Sequence, residues 1–134
     1  MRIRPIITRL ESDTTPNFFK SIGPANSLSS VDSIASNCPS IWVHPVGEQS
    51  QISRLMTGTR QDCDQTFAVL YAAQNIQASS EPLEDARDEV FSALLSFQPS
   101  EEHDYIEHVS GEVVEVDKGV IWWRDIFKTI RSRG

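Results

Sequence analysis

The chain of 134 residues contains few of the patterns from which metal, redox and phosphate sites are built. Its only two cysteines, Cys38 and Cys63, have neither a zinc-binding nor a redox spacing, which predicts two buried, reduced thiols. Its six glycines form no phosphate-binding loop, and no G-x-S-x-G motif is present. These absences predict a protein that is not an enzyme and that has no catalytic residues, no metal and no cofactor.

Long apolar runs and a surplus of bases are also lacking. No run approaches the ~18 apolar residues of a transmembrane helix, and residues 1–7 lack the apolar core and cleavage site of a signal peptide. The net charge of −7 argues against non-specific binding to nucleic acid, which requires a basic surface. With 39% hydrophobic residues, the chain is predicted to be one globular domain that is made in the cytoplasm and has no membrane partner.

The charges that are present divide the chain into three parts. Residues 1–80 have equal numbers of acids and bases, residues 81–117 have twelve acids against Arg87 alone, and residues 118–134 have five bases against Asp125. One interpretation is a solvated helix face followed by a solvated tail. The other is a head-to-tail contact, in which the acidic surface of one copy meets the basic surface of the next.

Apolar spacing predicts three helices. The first begins near Pro5, the second runs from Ser27 or Ser29 to a point before Pro39, and the third begins at Pro82 and ends before Pro99. Residues 11–27 are predicted to form a loop that folds an aromatic turn against the core. The apolar stripe of the first helix is formed by Ile6, Ile7 and Leu10.

Strand patterns follow at residues 41–46, 59–73, 104–109, 112–117 and 120–130. A polar loop is predicted at residues 47–58, and turns are predicted at Ser110-Gly111 and at residues 117–119. The predicted fold is α+β, a single domain over residues 1–134 with a mainly antiparallel sheet and helices packed on one face. Residues 1–39 form its helical and loop part, and residues 40–130 form the sheet and central helix.

Two adjacent tryptophans, Trp122 and Trp123, lie in the last strand. Because neighbouring residues of a strand point to opposite faces, only one of them can enter the same core. The other is expected to be covered by a helix, another strand or a second subunit. We further expect Phe67, Val69 and Leu94 to be buried together with one of the two tryptophans.

The segment of residues 101–108 collects two imidazoles and several carboxylates, which are metal-ligand types. However, His103 and His108 are five residues apart, which places them on opposite faces of a strand. We therefore favour solvated charge, and a small metal-dependent hydrolase is the least favoured alternative.

Taken together, residues 40–128 resemble the tail terminator proteins of tailed bacteriophages, also called tail completion or minor tail proteins. The segments that carry the resemblance are HPVGE at 44–48, RLMTG at 54–58, QTFAVL at 65–70, the helix of residues 83–98, SGEVV at 110–114 and GVIWWRDIF at 119–127. The last of these is the most specific, although family members often have Gln where this chain has Arg124.

The resemblance implies a subunit that forms a six-membered ring on the head-proximal end of a tail tube in the virion. Its partners would be itself, the tail tube protein and a head–tail connector protein, with genomic DNA passing unbound through the bore. The loop of residues 47–58 is the expected tube-facing element, and its expected contact residues are Glu48, Arg54 and Arg60. The expected subunit contacts are Trp122, Trp123, Arg124 and Lys128. The alternative is another head–tail joining protein or a tail tube protein of similar fold.

Overall fold

The structure, a computed structural model, describes residues 1–25, 38–51, 61–75 and 81–133. These parts contain two helices and one five-stranded sheet, which confirms the predicted α+β class. The elements are α1 (Arg4–Asp13), β1 (Ser21–Pro24), β2 (Ser40–Ser50), β3 (Gln61–Gln74), α2 (Glu81–Leu94), β4 (Glu107–Asp117) and β5 (Val120–Arg133). The helix predicted between Ser27 and Pro39 lies outside the described residues.

The sheet has the order β1-β2-β3-β5-β4. β1 runs parallel to β2, and every other neighbouring pair is antiparallel. β3 and β5 are paired from Gln61↔Arg133 to Gln74↔Val120 and form the centre of the sheet. The prediction of a central strand in this region is confirmed, and β4 forms the edge farthest from β1.

Two predictions about the first strands are wrong. Residues 11–27 were predicted to be loop throughout, but β1 lies within them as a short parallel edge strand. The predicted loop of residues 47–58 begins too early, because β2 continues to Ser50 opposite Cys63. An irregularity between Pro45 and Gly47 accommodates the proline, after which pairing with β3 resumes.

The turn predicted at Ser110-Gly111 is also wrong, because β4 is one continuous strand in place of two. Pairing with β5 is shifted twice, between His108 and Ser110 and between Val113 and Glu115. A Cβ atom on Gly111 would lie 2.5 Å from Asp125 Oδ1, so close packing requires this glycine. Gly119, in contrast, has a φ of +76° in the predicted turn.

The third predicted helix ends earlier than expected. α2 stops at Leu94 and Ser96 adopts a φ of 72°, so the helix does not continue to Pro99, the residue expected to stop it. The chain then folds back, because the Ile106 amide donates to the Phe97 carbonyl at 3.0 Å. This return brings the start of β4 beside β5.

The main core lies between the two helices and one face of the sheet. Phe67, Val69 and Leu94 are buried in it, as predicted, and Trp123 packs partly buried against it. On the helix-free face, Trp42 is fully buried and stacks on Trp122 with ring centroids 5.8 Å apart. The predicted separation of the two adjacent tryptophans is therefore confirmed. The three apolar side chains predicted for the first helix, Ile6, Ile7 and Leu10, are all buried.

Candidate functional site

A buried carboxylate, that of Asp125, is the most heavily bonded group in the described part of the chain. It is 0% exposed in the middle of β5. Arg87 binds it with two hydrogen bonds of 3.1 Å, from Nε to Oδ2 and from Nη2 to Oδ1. Trp123 Nε1 and His108 Nε2 each donate to Oδ1 at 3.0 Å. One side chain thus connects α2, β4 and β5.

The electrostatics of this cluster favour the ionised carboxylate. Burial alone raises the pKa of Asp125, but hydrogen bonds from Arg87, Trp123 and His108 outweigh that effect, so its pKa lies below the ordinary value. Burial, followed by the charge of Asp125, raises the pKa of the Tyr71 phenol well above its ordinary value. The Tyr71 hydroxyl has no partner in ordinary hydrogen-bond geometry among the described residues.

Aromatic rings enclose the same cluster. The Arg87 guanidinium lies 4.9 Å from the Trp123 ring centroid and 5.2 Å from that of Phe91. His108 packs against Phe91 at 4.8 Å and against Phe127 at 5.3 Å. Because the carboxylate is covered, it cannot reach a dissolved substrate, and it serves to hold the helix on the sheet.

Sequence reasoning missed Asp125 and Arg87 as a pair. The available signals were that Arg87 is the single base among twelve acids and that Asp125 interrupts an apolar strand. Their pairing joins residues 38 positions apart, which local patterns do not reveal.

The segment of residues 101–108 does not bring its two histidines to one site. His103 Nδ1 lies 2.6 Å from Ser100 Oγ, and its Nε2 lies 2.9 Å from Oε1 of the buried Gln65. Gln65 in turn donates to Glu48 at 2.8 Å. The interpretation as solvated charge holds for the exposed glutamates but is wrong for both imidazoles, because each binds a buried polar group. In the described ranges, no group of three metal-ligating side chains could hold an ion.

Three of the four bases of β5 are paired within their own chain. Arg124 binds Glu112, Lys128 lies 4.0 Å from Glu107, and Arg131 binds Glu102 at 2.9 Å. All three acids belong to the acidic part of the chain, residues 81–117. A contact between copies that depends on charge would therefore have to use other residues or exchange these partners.

The residues expected at a subunit interface fall on two faces. Trp122, Arg124 and Lys128 lie on the helix-free face, as alternate residues of β5, while Trp123 faces the helices. Arg124 and Lys128 are about two-fifths exposed. The structure therefore brings three of the four expected residues together.

Of the residues expected at the tube, Glu48 is described and lies on the β2–β3 hairpin. Glu48 is an exposed residue of β2, opposite Gln65. The hairpin continues at least to residues 51 and 62, where the Gln51 amide donates to the Asp62 carbonyl at 2.7 Å. Arg54 and Arg60 lie beyond this point and outside the described residues.

Comparison with known proteins adds one clear result. A family model described as phage tail terminator protein matches residues 1–133. No curated protein matches the chain. Neither described helix is long and apolar enough to cross a membrane.

Proposed function

Because this chain belongs to the phage tail terminator family, we propose that it closes the head-proximal end of a phage tail tube as a ring of six copies. Membership makes it a structural protein of a phage tail. The proposed role goes further: the ring ends tube polymerisation and offers a surface to the head–tail connector. The observation that carries this proposal is the family match, which extends over residues 1–133.

The β2–β3 hairpin is our candidate for the tube-facing element. Its paired stem is longer than a simple loop would require and carries Glu48 near its far end. Arg54 and Arg60 belong to the segment that connects the two strands in the sequence. Glu48 is fixed by the hydrogen bond from Gln65, which supports a defined orientation of the stem. Arg54 and Arg60 then supply positive charge to a contact with acidic groups on the tube protein.

Subunit contacts are proposed on the helix-free face of β5. Trp122, Arg124 and Lys128 are partly exposed there, which supports a role in contact with a neighbouring copy. Trp123 would act indirectly, since it orients the Arg87–Asp125 pair behind this strand. The net charge of −7 suits a ring whose bore passes DNA without binding it, because like charges repel the phosphates.

The test of this role is a phage that lacks the chain. We expect tails of uncontrolled length and few joined heads, and normal tail lengths would overturn the proposal. In a second phage, Arg54→Glu should leave the protein folded by circular dichroism but give the same tail defect. Lys20→Glu, which reverses an exposed base outside the hairpin, is the matched control. Normal tails from the Arg54 variant would remove the hairpin from the tube contact.

A tail tube subunit is the second candidate, because such a subunit also needs a long hairpin for stacking. The number of copies separates the two roles. A terminator is present as one ring per tail, whereas a tube subunit is present in every ring along it. Quantitative mass spectrometry of purified virions against the tube protein therefore distinguishes them.

A further inference from the structure

The outer edge of the sheet carries an unusual combination of exposed apolar and acidic side chains. The residues concerned, which we call the valine strip, are Val109, Val113, Val114, Glu115, Val116 and Asp117 of β4. All six are exposed, and the four valines are each 51–55% accessible. Neither Glu115 nor Asp117 forms an ion pair with the described residues. A cluster of half-exposed valines at a sheet edge marks an interaction surface.

The strip is not built to extend the sheet by strand addition. Val109 and Val114 sit at the two shifts in β4–β5 pairing, where they have no partner on β5. Such bulges interrupt the regular row of backbone groups on an edge strand. A partner would therefore bind the strip through its side chains, with an apolar surface and nearby bases.

The same chain carries a surface of this kind on α1. A groove of about 450 Å³, which we call the α1 groove, is lined by Arg4, Pro5, Thr8, Arg9, Ser12 and Phe97. The stems of its arginines, its proline and its aromatic ring supply apolar walls. Arg4 is exposed and forms no ion pair with the described residues. The same holds for Arg2, which lines a neighbouring cavity that shares Pro5 with the groove, so positive charge is available beside the groove.

The two surfaces lie on different parts of the subunit. The valine strip is on β4, the last strand of the sheet, whereas α1 packs beside β1, the first strand, and beside α2. One copy can therefore offer its strip to a neighbour while its own groove receives another strip. Contacts between two different surfaces are those that close into rings when the rotation permits.

We infer that the valine strip of one copy docks in the α1 groove of the next, an inference that rests on the proposed ring. The edge of the sheet enters the groove, so that Val113 and Val116, on its helix side opposite Trp123 and Ile121, contact the apolar wall. Glu115 and Asp117, on its helix-free side, meet Arg4 and the neighbouring Arg2. The strip adjoins the proposed contacts on β5, because Glu112 and Glu107 of β4 bind Arg124 and Lys128. The four charges proposed for this contact are thus ones that form no ion pair with the described residues.

Chemical cross-linking in virions tests this contact. A phage whose protein carries both Glu115→Cys and Arg4→Cys should give a ladder of linked copies with a short bismaleimide. Each single variant should remain monomeric. The wild type should remain monomeric as well, because its own thiols, Cys38 and Cys63, are only 6% and 4% exposed. Val46→Cys combined with Arg4→Cys is the matched control, since Val46 is as exposed as the valines of the strip but lies on β2.

A charge exchange gives an independent readout. Glu115→Arg and Arg4→Glu should each lower infectivity at least about tenfold, because each places like charges together in the contact. The double variant should restore infectivity. A double variant as defective as the single ones would overturn the inferred contact. The contact would also be overturned if virions that contain the double cysteine variant gave only monomers after cross-linking.

These failures differ from failure of the proposed function. Normal tail length in the deletion phage, or absence of the protein from virions, overturns the terminator role and with it the ring. Tails of uncontrolled length in the deletion phage, together with no cross-linked ladder, would support the terminator role and reject this contact.

Discussion

Removal of Arg87 is the sharpest test of the fold, because it leaves the buried Asp125 carboxylate without its charged partner. In Arg87→Met the aliphatic part of the side chain is kept, but Asp125 loses both of its hydrogen bonds from the guanidinium. Removing one partner of a buried pair costs about 3–5 kcal/mol. Arg87 is itself 19% exposed, which places the expected loss near the lower end, at about 3 kcal/mol.

The measurement is the free energy of unfolding from urea titrations, with coincident fluorescence and circular dichroism transitions as the check for two-state behaviour. Arg124→Met is the matched control, because it breaks an exposed pair on the same sheet and should cost less than about 1 kcal/mol. Adding Asp125→Asn to Arg87→Met should recover part of the loss, since the uncompensated charge is gone. Equal losses from Arg87→Met and Arg124→Met would refute this account of the cluster.

The dependence of the unfolding free energy on acidic pH is a second test of the Asp125 cluster. Because the folded protein lowers the pKa of Asp125, its ionisation contributes stability that is present at neutral pH. That contribution is lost as the pH falls below about 4, the ordinary aspartate value, towards the folded pKa. The unfolding free energy of Asp125→Asn should therefore fall less steeply in this range than that of the wild type. Parallel curves would contradict the assignment.

Three further changes test the packing. Gly111→Ala should lower the free energy of unfolding in urea by about 1–3 kcal/mol, because the added Cβ meets the Asp125 carboxylate and the Trp123 indole. Gly47→Ala, where a Cβ would meet nothing within 4 Å, should be tolerated, and similar losses from the two variants would contradict the close packing. Leu94→Ala should lower the free energy of unfolding by about 2–5 kcal/mol, because burial is lost and a cavity remains. Leu95→Ala, at a more exposed position, should lower it by less than about 1 kcal/mol, and the reverse order would mean that the helix register is wrong. Tyr71→Phe should remove part of the stability loss above about pH 10, because the raised phenol pKa resists ionisation only in the folded protein; an unchanged alkaline limb would contradict this.

Local patterns in the sequence predicted those elements whose neighbours along the chain determine them. The stripe of α1 follows from helical spacing, and the opposite placement of Trp122 and Trp123 follows from strand alternation. Gly111 was predicted to be a turn because Ser-Gly is typical of turns, yet its reason is a contact with Asp125, fourteen residues away. The extension of β2 to Ser50 likewise depends on pairing with β3 and not on local propensity.

The candidate site depends still more on long-range contacts. The sequence shows the pattern of charge along the chain, but it does not show that bases of β5 pair with acids of the same chain. The roles of His103 and His108 were also hidden, because their partners, Gln65 and Asp125, are buried residues distant in sequence. Sequence patterns show which charges exist, and the pairing of strands decides which of them remain free.

We have proposed that this protein ends a tail tube as a single ring. A density map of the intact virion, reconstructed by electron microscopy at the junction of head and tail, tests it most directly. We expect one ring of six copies between the last tube ring and the head connector, with the β2–β3 hairpins directed at the tube. A single copy at that position, or no ring there, would contradict it.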